Sequence, residues 1–167
     1  MSSVVIPTAS LDLMLQTPDD VLAWVESLPP ADRAEVSSDW IERVRNTPEG
    51  DPWALSFTAV ERASGLTVGS CAFKGPPDAA GVVEVAYGTD PGHRGRGFAT
   101  ESAEALTNFA FASGLVRLVR AHTKPENVAS IRVLDKCGFR RIGEVLDPED
   151  GLVYRWERGH PNPVLTS

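Results

Sequence analysis

Between Thr89 and Glu101 the chain reads Thr89-Asp90-Pro91-Gly92-His93-Arg94-Gly95-Arg96-Gly97-Phe98-Ala99-Thr100-Glu101. Three glycines and two arginines fall together where a strand-like run gives way to an amphipathic helical pattern. Glycine lets a backbone come close to a ligand. The first amides of a helix have no partner inside it and sit at the positive end of its dipole. Such a loop is built for a pyrophosphate. Two proton acceptors flank it in sequence. Glu84 lies in the apolar run Val82-Val83-Glu84-Val85-Ala86-Tyr87, where a carboxylate is costly unless it reaches the surface or does chemistry. Strand alternation would equally turn it to solvent. His122 ends the next strand-like run, and imidazole is the side chain best suited to exchange a proton near neutral pH. A hydrogen-bonded structural histidine is the plain alternative. His93, on the loop rim, and His160, in the tail, are given no role.

Three pyrophosphate ligands compete for the loop. A nucleoside triphosphate loop needs G-x-x-x-x-G-K-S/T. Gly92 and Gly97 have that spacing, but Phe98-Ala99 stand where lysine and a hydroxyl are required. A dinucleotide loop needs G-x-G-x-x-G/A and an acidic residue closing the next strand. Gly95-x-Gly97-x-x-Thr100 fails the third position, and the next strand ends at His122-Thr123. The third candidate is a coenzyme A thioester.

The elements that must position these residues are legible from periodicity. Residues 8–16 suggest a first strand. Asp19-Asp20 would cap a helix through about Ser27, and a second helix would run from Ala31 to Arg45. Strands are expected over Trp53–Val60, Leu66–Phe73 and Val82–Thr89, joined by the turns at Glu61–Gly65 and Gly75–Asp78. The glycine loop opens a helix from Phe98 to Ser113, stopped by Gly114. A strand over Leu115–Thr123, a helix from Glu126-Asn127 to Lys136, and strands through Ile142–Val145 and Leu152–Trp156 complete the pattern. The expectation is one domain over residues 1–167, with a frayed tail from about 159 to 167.

Composition sets the class. With 42% apolar and 23% charged residues the chain is an ordinary globular protein. The net charge of −7 disfavours nucleic acid as a partner and suits a cationic substrate, or serves solubility alone. No apolar run is long enough for a membrane span, and Met1–Pro7 lacks the pattern of a leader, so a cytoplasmic location is expected. Cys71 and Cys137 are far apart and read as small core residues. With no Cys/His cluster, no metal is expected.

Arg94-x-x-Gly97-x-Ala99 resembles the R/Q-x-x-G-x-G/A signature of the GCN5-related N-acetyltransferases. Gly97-Phe98-Ala99-Thr100-Glu101-Ser102 is similar to the variant in the subgroup that acetylates ribosomal-protein N-termini. The stretch Asn127-Val128-Ala129-Ser130-Ile131-Arg132-Val133-Leu134-Asp135-Lys136-Cys137-Gly138-Phe139 resembles that subgroup's second signature, N-x-x-S-x-x-x-x-x-K-x-G-F. The resemblance covers Val82 to Phe139 well and weakens before Trp53.

The resemblance implies an α/β fold: a mixed, mostly antiparallel central sheet flanked by helices, with two central strands splayed apart. The pantetheine arm would lie between them along the backbone of Tyr87, Gly88 and Thr89. The pyrophosphate would sit on the amides of Arg94, Gly95, Arg96, Gly97, Phe98, Ala99 and Thr100, with Arg94 and Arg96 adding charge. Asn127 would hold the arm, or merely cap its helix. Glu84 or His122 would take the proton of the attacking amine. Leu134 stands where some relatives carry a tyrosine acid, which leaves Ser130 as the hydroxyl facing the thioester. Trp24 and Trp40 fall in helices that wall the acceptor site in this family. The implied function is direct acetyl transfer from acetyl-CoA to a primary amine, either a protein N-terminus or a small cationic amine, within a ternary complex. A homodimer is compatible with it. The rival is a module of the same fold that binds an acyl-CoA without turnover.

Overall fold

A computed structural model of the chain describes residues 4–161. The elements run β1 (Val5–Pro7), β2 (Leu11–Leu15), α1 (Pro18–Ser27), α2 (Pro30–Ala34), α3 (Ser38–Arg45), β3 (Phe57–Glu61), β4 (Thr67–Phe73) and β5 (Val82–Thr89). A 3-10 turn at Pro91–His93 comes next, then α4 (Phe98–Ala112), β6 (Leu118–Thr123), α5 (Val128–Lys136), β7 (Arg140–Asp147) and β8 (Gly151–Gly159). The strands make one sheet in the order β1-β2-β3-β4-β5-β6-β8-β7. Only the β5–β6 pair is parallel. This is the mixed, mostly antiparallel sheet with flanking helices that the resemblance implied.

Strand alternation sorts the side chains of the middle strands. Val83, Val85, Val119 and Ala121 are buried, as are Ala103, Leu106 and Ala110 of α4, all in one core. Glu84 and His122 alternate with these buried residues and so lie on the other face. Cys71 and Cys137 are buried free thiols. Burial pushes their thiols up to about 12 and about 11, so both stay protonated.

The centre of the sheet parts. On one side β5 pairs with β4 as far as Gly69–Thr89. On the other it pairs with β6 only over Val82–Glu84, opposite Leu118–Arg120. From Val85 onward its second edge has no strand partner among the described residues, while β6 continues along β8 to Thr123–Tyr154. Gly69 lets β4 and β5 press together behind this opening. A Cβ there would stand 2.3 Å from the Gly88 carbonyl oxygen.

Several local expectations are corrected. Thr17, not Asp19-Asp20, caps α1, and Asp20 completes a capping box by accepting from the Thr17 amide. The expected second helix is two: α2 ends at Ala34, and Ser37 begins α3 by accepting from the Trp40 amide. The strand expected within residues 8–16 is β2, and an unexpected β1 pairs with it as a hairpin. Trp53 to Leu55 lie outside β3, in a turn pinned by Asp51, whose carboxylate accepts from the Trp53 amide. Gly159, where the expected tail begins, closes β8, and the His160 amide donates to the Arg117 carbonyl at 2.8 Å. Residues 162–167 of the expected tail lie outside the described residues. No helix among the described residues is long and apolar enough to cross a membrane.

Candidate active site

The loop from Asp90 to Gly97 takes its path from two glycines, Gly95 at φ +80° and Gly97 at φ +83°. A side chain in that left-handed region costs about 1–2 kcal/mol. Neither position is crowded: a Cβ on either would meet no protein atom within 4 Å. Gly97 is the N-cap of α4 and no side chain caps it, so the amides of Phe98, Ala99 and Thr100 open the helix toward the space in front of it.

That space is a groove of about 510 Å³ running from the open edge of β5 to the N-terminus of α4. Tyr87, Gly88 and Thr89 line its strand side. Arg94, Gly95, Gly97, Phe98, Ala99 and Thr100 line its loop side, and Asn127 and Ser130 come from the start of α5. All but one of the expected cofactor residues therefore meet in one cleft. The exception is Arg96. Its guanidinium donates to the carboxylate of Glu61 and lies over the Phe98 ring, 4.6 Å from its centroid. It is a half-exposed strut that ties the loop to the end of β3.

The loop is pinned a second time by Glu101, one turn into α4. Its carboxylate accepts from the Thr8 hydroxyl at 2.6 Å, the Ser10 amide at 2.8 Å and the Ser10 hydroxyl at 3.0 Å. Burial pushes this carboxyl up, but those three donors and the Arg62 charge outweigh it and hold it below its ordinary range.

Sequence reasoning missed His93, Ala129, Arg132, Val133 and Lys136, which also line the groove. The signal was there for the α5 residues. Positions 129, 132, 133 and 136 recur at helical spacing on the face that carries Ser130. No aspartate or glutamate lines the groove, whereas Arg94, Arg132 and Lys136 do. In a chain of net charge −7 that is a local inversion suited to a polyanion.

Asn127 plays the part of cap: its carboxamide oxygen accepts from the Ser130 amide at 3.1 Å. Its amide hydrogens are not used by that bond. The Ser130 hydroxyl meets the Tyr87 hydroxyl at 3.0 Å. Burial pushes the Tyr87 phenol up to about 12, with the Ser130 contact pulling the other way, so it keeps its proton. Leu134 is fully buried in the core and offers the groove nothing.

On the opposite face Glu84 and His122 come together. The His122 Nδ1 is 2.9 Å from Glu84 Oε2. Lys74, just beyond β4, brings its Nζ to 3.2 Å of the same oxygen. Arg155 of β8 donates its Nε–H to His122 Nε2 at 3.1 Å. Glu84 sits where the β5–β6 pairing ends, at the vertex of the opening. Neither Lys74 nor Arg155 carries a sequence signal, because each reaches the pair only through strand register. Among the described residues no group of three or more His, Cys, Asp or Glu side chains could hold a metal. Trp24 is about half exposed on α1 and Trp40 is partly buried. Trp156 is buried and donates to the Thr123 hydroxyl at 2.9 Å.

Comparison with known proteins finds the same fold. The coenzyme A complex of RimL, a ribosomal L7/L12 alpha-N-protein acetyltransferase, matches over 93% of this chain and 98% of its own, with TM-score 0.70 and 18% identity. The aminoglycoside acetyltransferase AAC(6')-Ib in complex with coenzyme A matches over 90% of this chain and 95% of its own, with TM-score 0.64 and 21% identity. At these identities the likeness is one of fold. In sequence, an uncharacterized N-acetyltransferase of Bacillus subtilis, YjdG, is 32% identical over 84 residues, half of each chain. The chain thus spans about half the length of that relative. The acetyltransferase (GNAT) domain matches residues 7–140, which takes in the parting of β5 and β6, the glycine loop and the α5 face alike, and the chain belongs to that family.

Proposed function

We propose that the protein moves an acetyl group from acetyl-CoA to a primary amine by direct transfer in a ternary complex. One observation carries this reading. A half-unpaired strand leads into a groove that lacks carboxylates, bears Arg94, Arg132 and Lys136, and ends at the uncapped amides of α4. An extended amide-bearing arm joined to a pyrophosphate fits that sequence of features. The open edge of β5 at Tyr87, Gly88 and Thr89 offers main-chain groups to the arm, as it would to an added strand. The amides from Gly95 to Thr100 take the pyrophosphate. Arg94, Arg132 and Lys136 supply charge there, while the Arg96 side chain acts through the loop's shape. Asn127 has amide hydrogens for the arm while its oxygen caps α5.

Bound in this way, acetyl-CoA supplies an acetyl group already activated as a thioester. The residues of the chain do the rest. An α-amino group titrates near ~8 and a lysine near ~10.4, so the acceptor must first give up a proton. Glu84 and His122, joined at the vertex of the opening, form the unit that takes it. The Ser130 hydroxyl, backed by the Tyr87 hydroxyl, stands in the groove as a hydrogen-bond donor for the departing sulfur.

The acceptor class is an amine, and two kinds are favoured: a protein N-terminus and a small cationic amine. Their support is the fold shared with RimL and with AAC(6')-Ib, together with the charge of the N-terminal third. Residues 17–52 carry nine carboxylates against three arginines.

The test is thiol release from acetyl-CoA in the presence of peptides with free N-terminal serine or alanine, and of kanamycin. Release with at least one of them is expected. Gly97→Glu, which sets bulk and negative charge against the pyrophosphate site, should lower acetyl-CoA affinity in calorimetry by two orders of magnitude or more, with circular dichroism unchanged. Tight binding with no release for any amine would favour the rival, an acyl-CoA-binding module. No binding at all would end both readings.

A further inference from the structure

The Glu84–His122 pair leaves open which member takes the proton, and Arg155 decides it. A guanidinium has five N–H donors and no acceptor. The Arg155 Nε stands 3.1 Å from His122 Nε2, so Nε2 must be the bare nitrogen of the ring. A neutral imidazole carries one proton, which is then on Nδ1 and points at Glu84 Oε2, 2.9 Å away. The other tautomer would set N–H against N–H at Arg155 and leave the carboxylate facing a lone pair. Turning the ring over would bring carbon to both contacts and lose both bonds.

The two lone-pair-bearing sites near the vertex are therefore not equivalent. The lone pair of His122 is spent on Arg155. Glu84 Oε2 accepts from His122 and from Lys74 Nζ at 3.2 Å. The Oε1 atom of the same carboxylate remains to receive a proton. Resting on the acetyl-transfer reading above, we infer that Arg155 is a positioning residue. It fixes His122 as an Nδ1–H donor that aims Glu84, and Glu84 is the base. The proton of the attacking amine passes to Glu84 Oε1, directly or through one water, while the His122 proton count stays constant through the step.

The tautomer is read without any activity assay. In 15N-labelled protein, long-range proton–nitrogen correlation distinguishes a bare ring nitrogen from a protonated one. His93 and His160 are separated from His122 by comparison with His122→Asn. The expected spectrum shows His122 with Nδ1 protonated and Nε2 bare. Arg155→Ala should move the Nε2 signal toward the protonated range, and Arg155→Lys, whose ammonium also only donates, should move it back. A protonated Nε2 in the unaltered protein, or the same spectrum in Arg155→Ala, overturns the inference even if the protein is an active acetyltransferase.

Kinetics give the second arm, with the N-terminal-alanine peptide or kanamycin as acceptor. Arg155→Ala should lower kcat about tenfold with the KM for acetyl-CoA unchanged, and Arg155→Lys should recover most of it. Glu84→Gln should lower kcat by about 10²–10⁴, the usual worth of a general base. His122→Asn, which can still donate to Glu84 but cannot act as the base, should lose less than Glu84→Gln. The reverse order, with His122→Asn the more damaging, would make His122 the base and refute the assignment.

Discussion

The Arg96 side chain shapes its loop from a distance, through Glu61. Glu61 is almost fully buried, and its two oxygens accept from the Ser64 hydroxyl at 2.7 Å and from Arg96. The Ser64 hydroxyl holds this carboxyl below its ordinary value of 4.5. Burial works against that, and the Arg96 guanidinium adds to the lowering. A carboxyl whose folded value lies below its unfolded one contributes stability above the unfolded value, and that contribution is lost as pH falls through the folded value. The strut should therefore weaken in acid, below about pH 4.5. Thermal unfolding of Glu61→Gln against the unaltered protein checks this. The difference in midpoint between the two should be largest near neutral pH and shrink as pH falls below 4.5 toward 3. A gap that is constant with pH would show that Glu61 is not ionised in the fold. Glu101 titrates in the same range in both proteins and cancels from the comparison.

At the scale of elements, some features were legible in the sequence and others were not. The β5 strand and the glycine loop could be read to the residue, because alternation, glycines at left-handed positions and a succeeding helical stripe all agree. Asn127 was legible as a cap, and Ser130 came through the resemblance carried by Asn127 to Phe139. The contact of the Arg96 side chain was not legible, because nothing local says that Glu61, thirty-five residues earlier, is its partner. Lys74 and Arg155 were invisible for the same reason, since strand register creates their contacts. The split of the second helix was missed because Val36, Trp40, Ile41 and Val44 keep helical spacing across it, while Ser37 competes locally as a cap.

Gly69 also belongs to this scale. It reads as an ordinary strand glycine, yet its missing side chain lets β4 meet β5 at Gly88. Gly69→Ala must displace a backbone carbonyl, which cannot yield as a flexible side chain would. We expect a loss of about 1–3 kcal/mol in denaturant unfolding. A weaker acetyl-CoA affinity should accompany it, because Gly88 and Thr89 line the groove. Unchanged stability and affinity would mean that β5 tolerates the shift.

For the whole molecule, the opened strand pair divides one sheet into two unequal parts. Five strands, β1 to β5, lie on one side, and three, β6, β8 and β7, on the other. Across the sheet itself they are joined by three residue pairs, Val82–Glu84 against Leu118–Arg120. Beside these, the Gly81 carbonyl accepts from the Arg117 and Leu118 amides. Binding of acetyl-CoA along the open edge should therefore steady both parts. In hydrogen–deuterium exchange, amides of Tyr87 and Thr89 should exchange faster in the free protein and slow markedly with acetyl-CoA present, with a rise in unfolding midpoint. Equal exchange in both states would show that the ligand does not enter the gap. A wall bonded along so short a course depends on what fills the joint. The thioester would then act as mortar as well as reagent, and its supply would govern how long the folded chain survives.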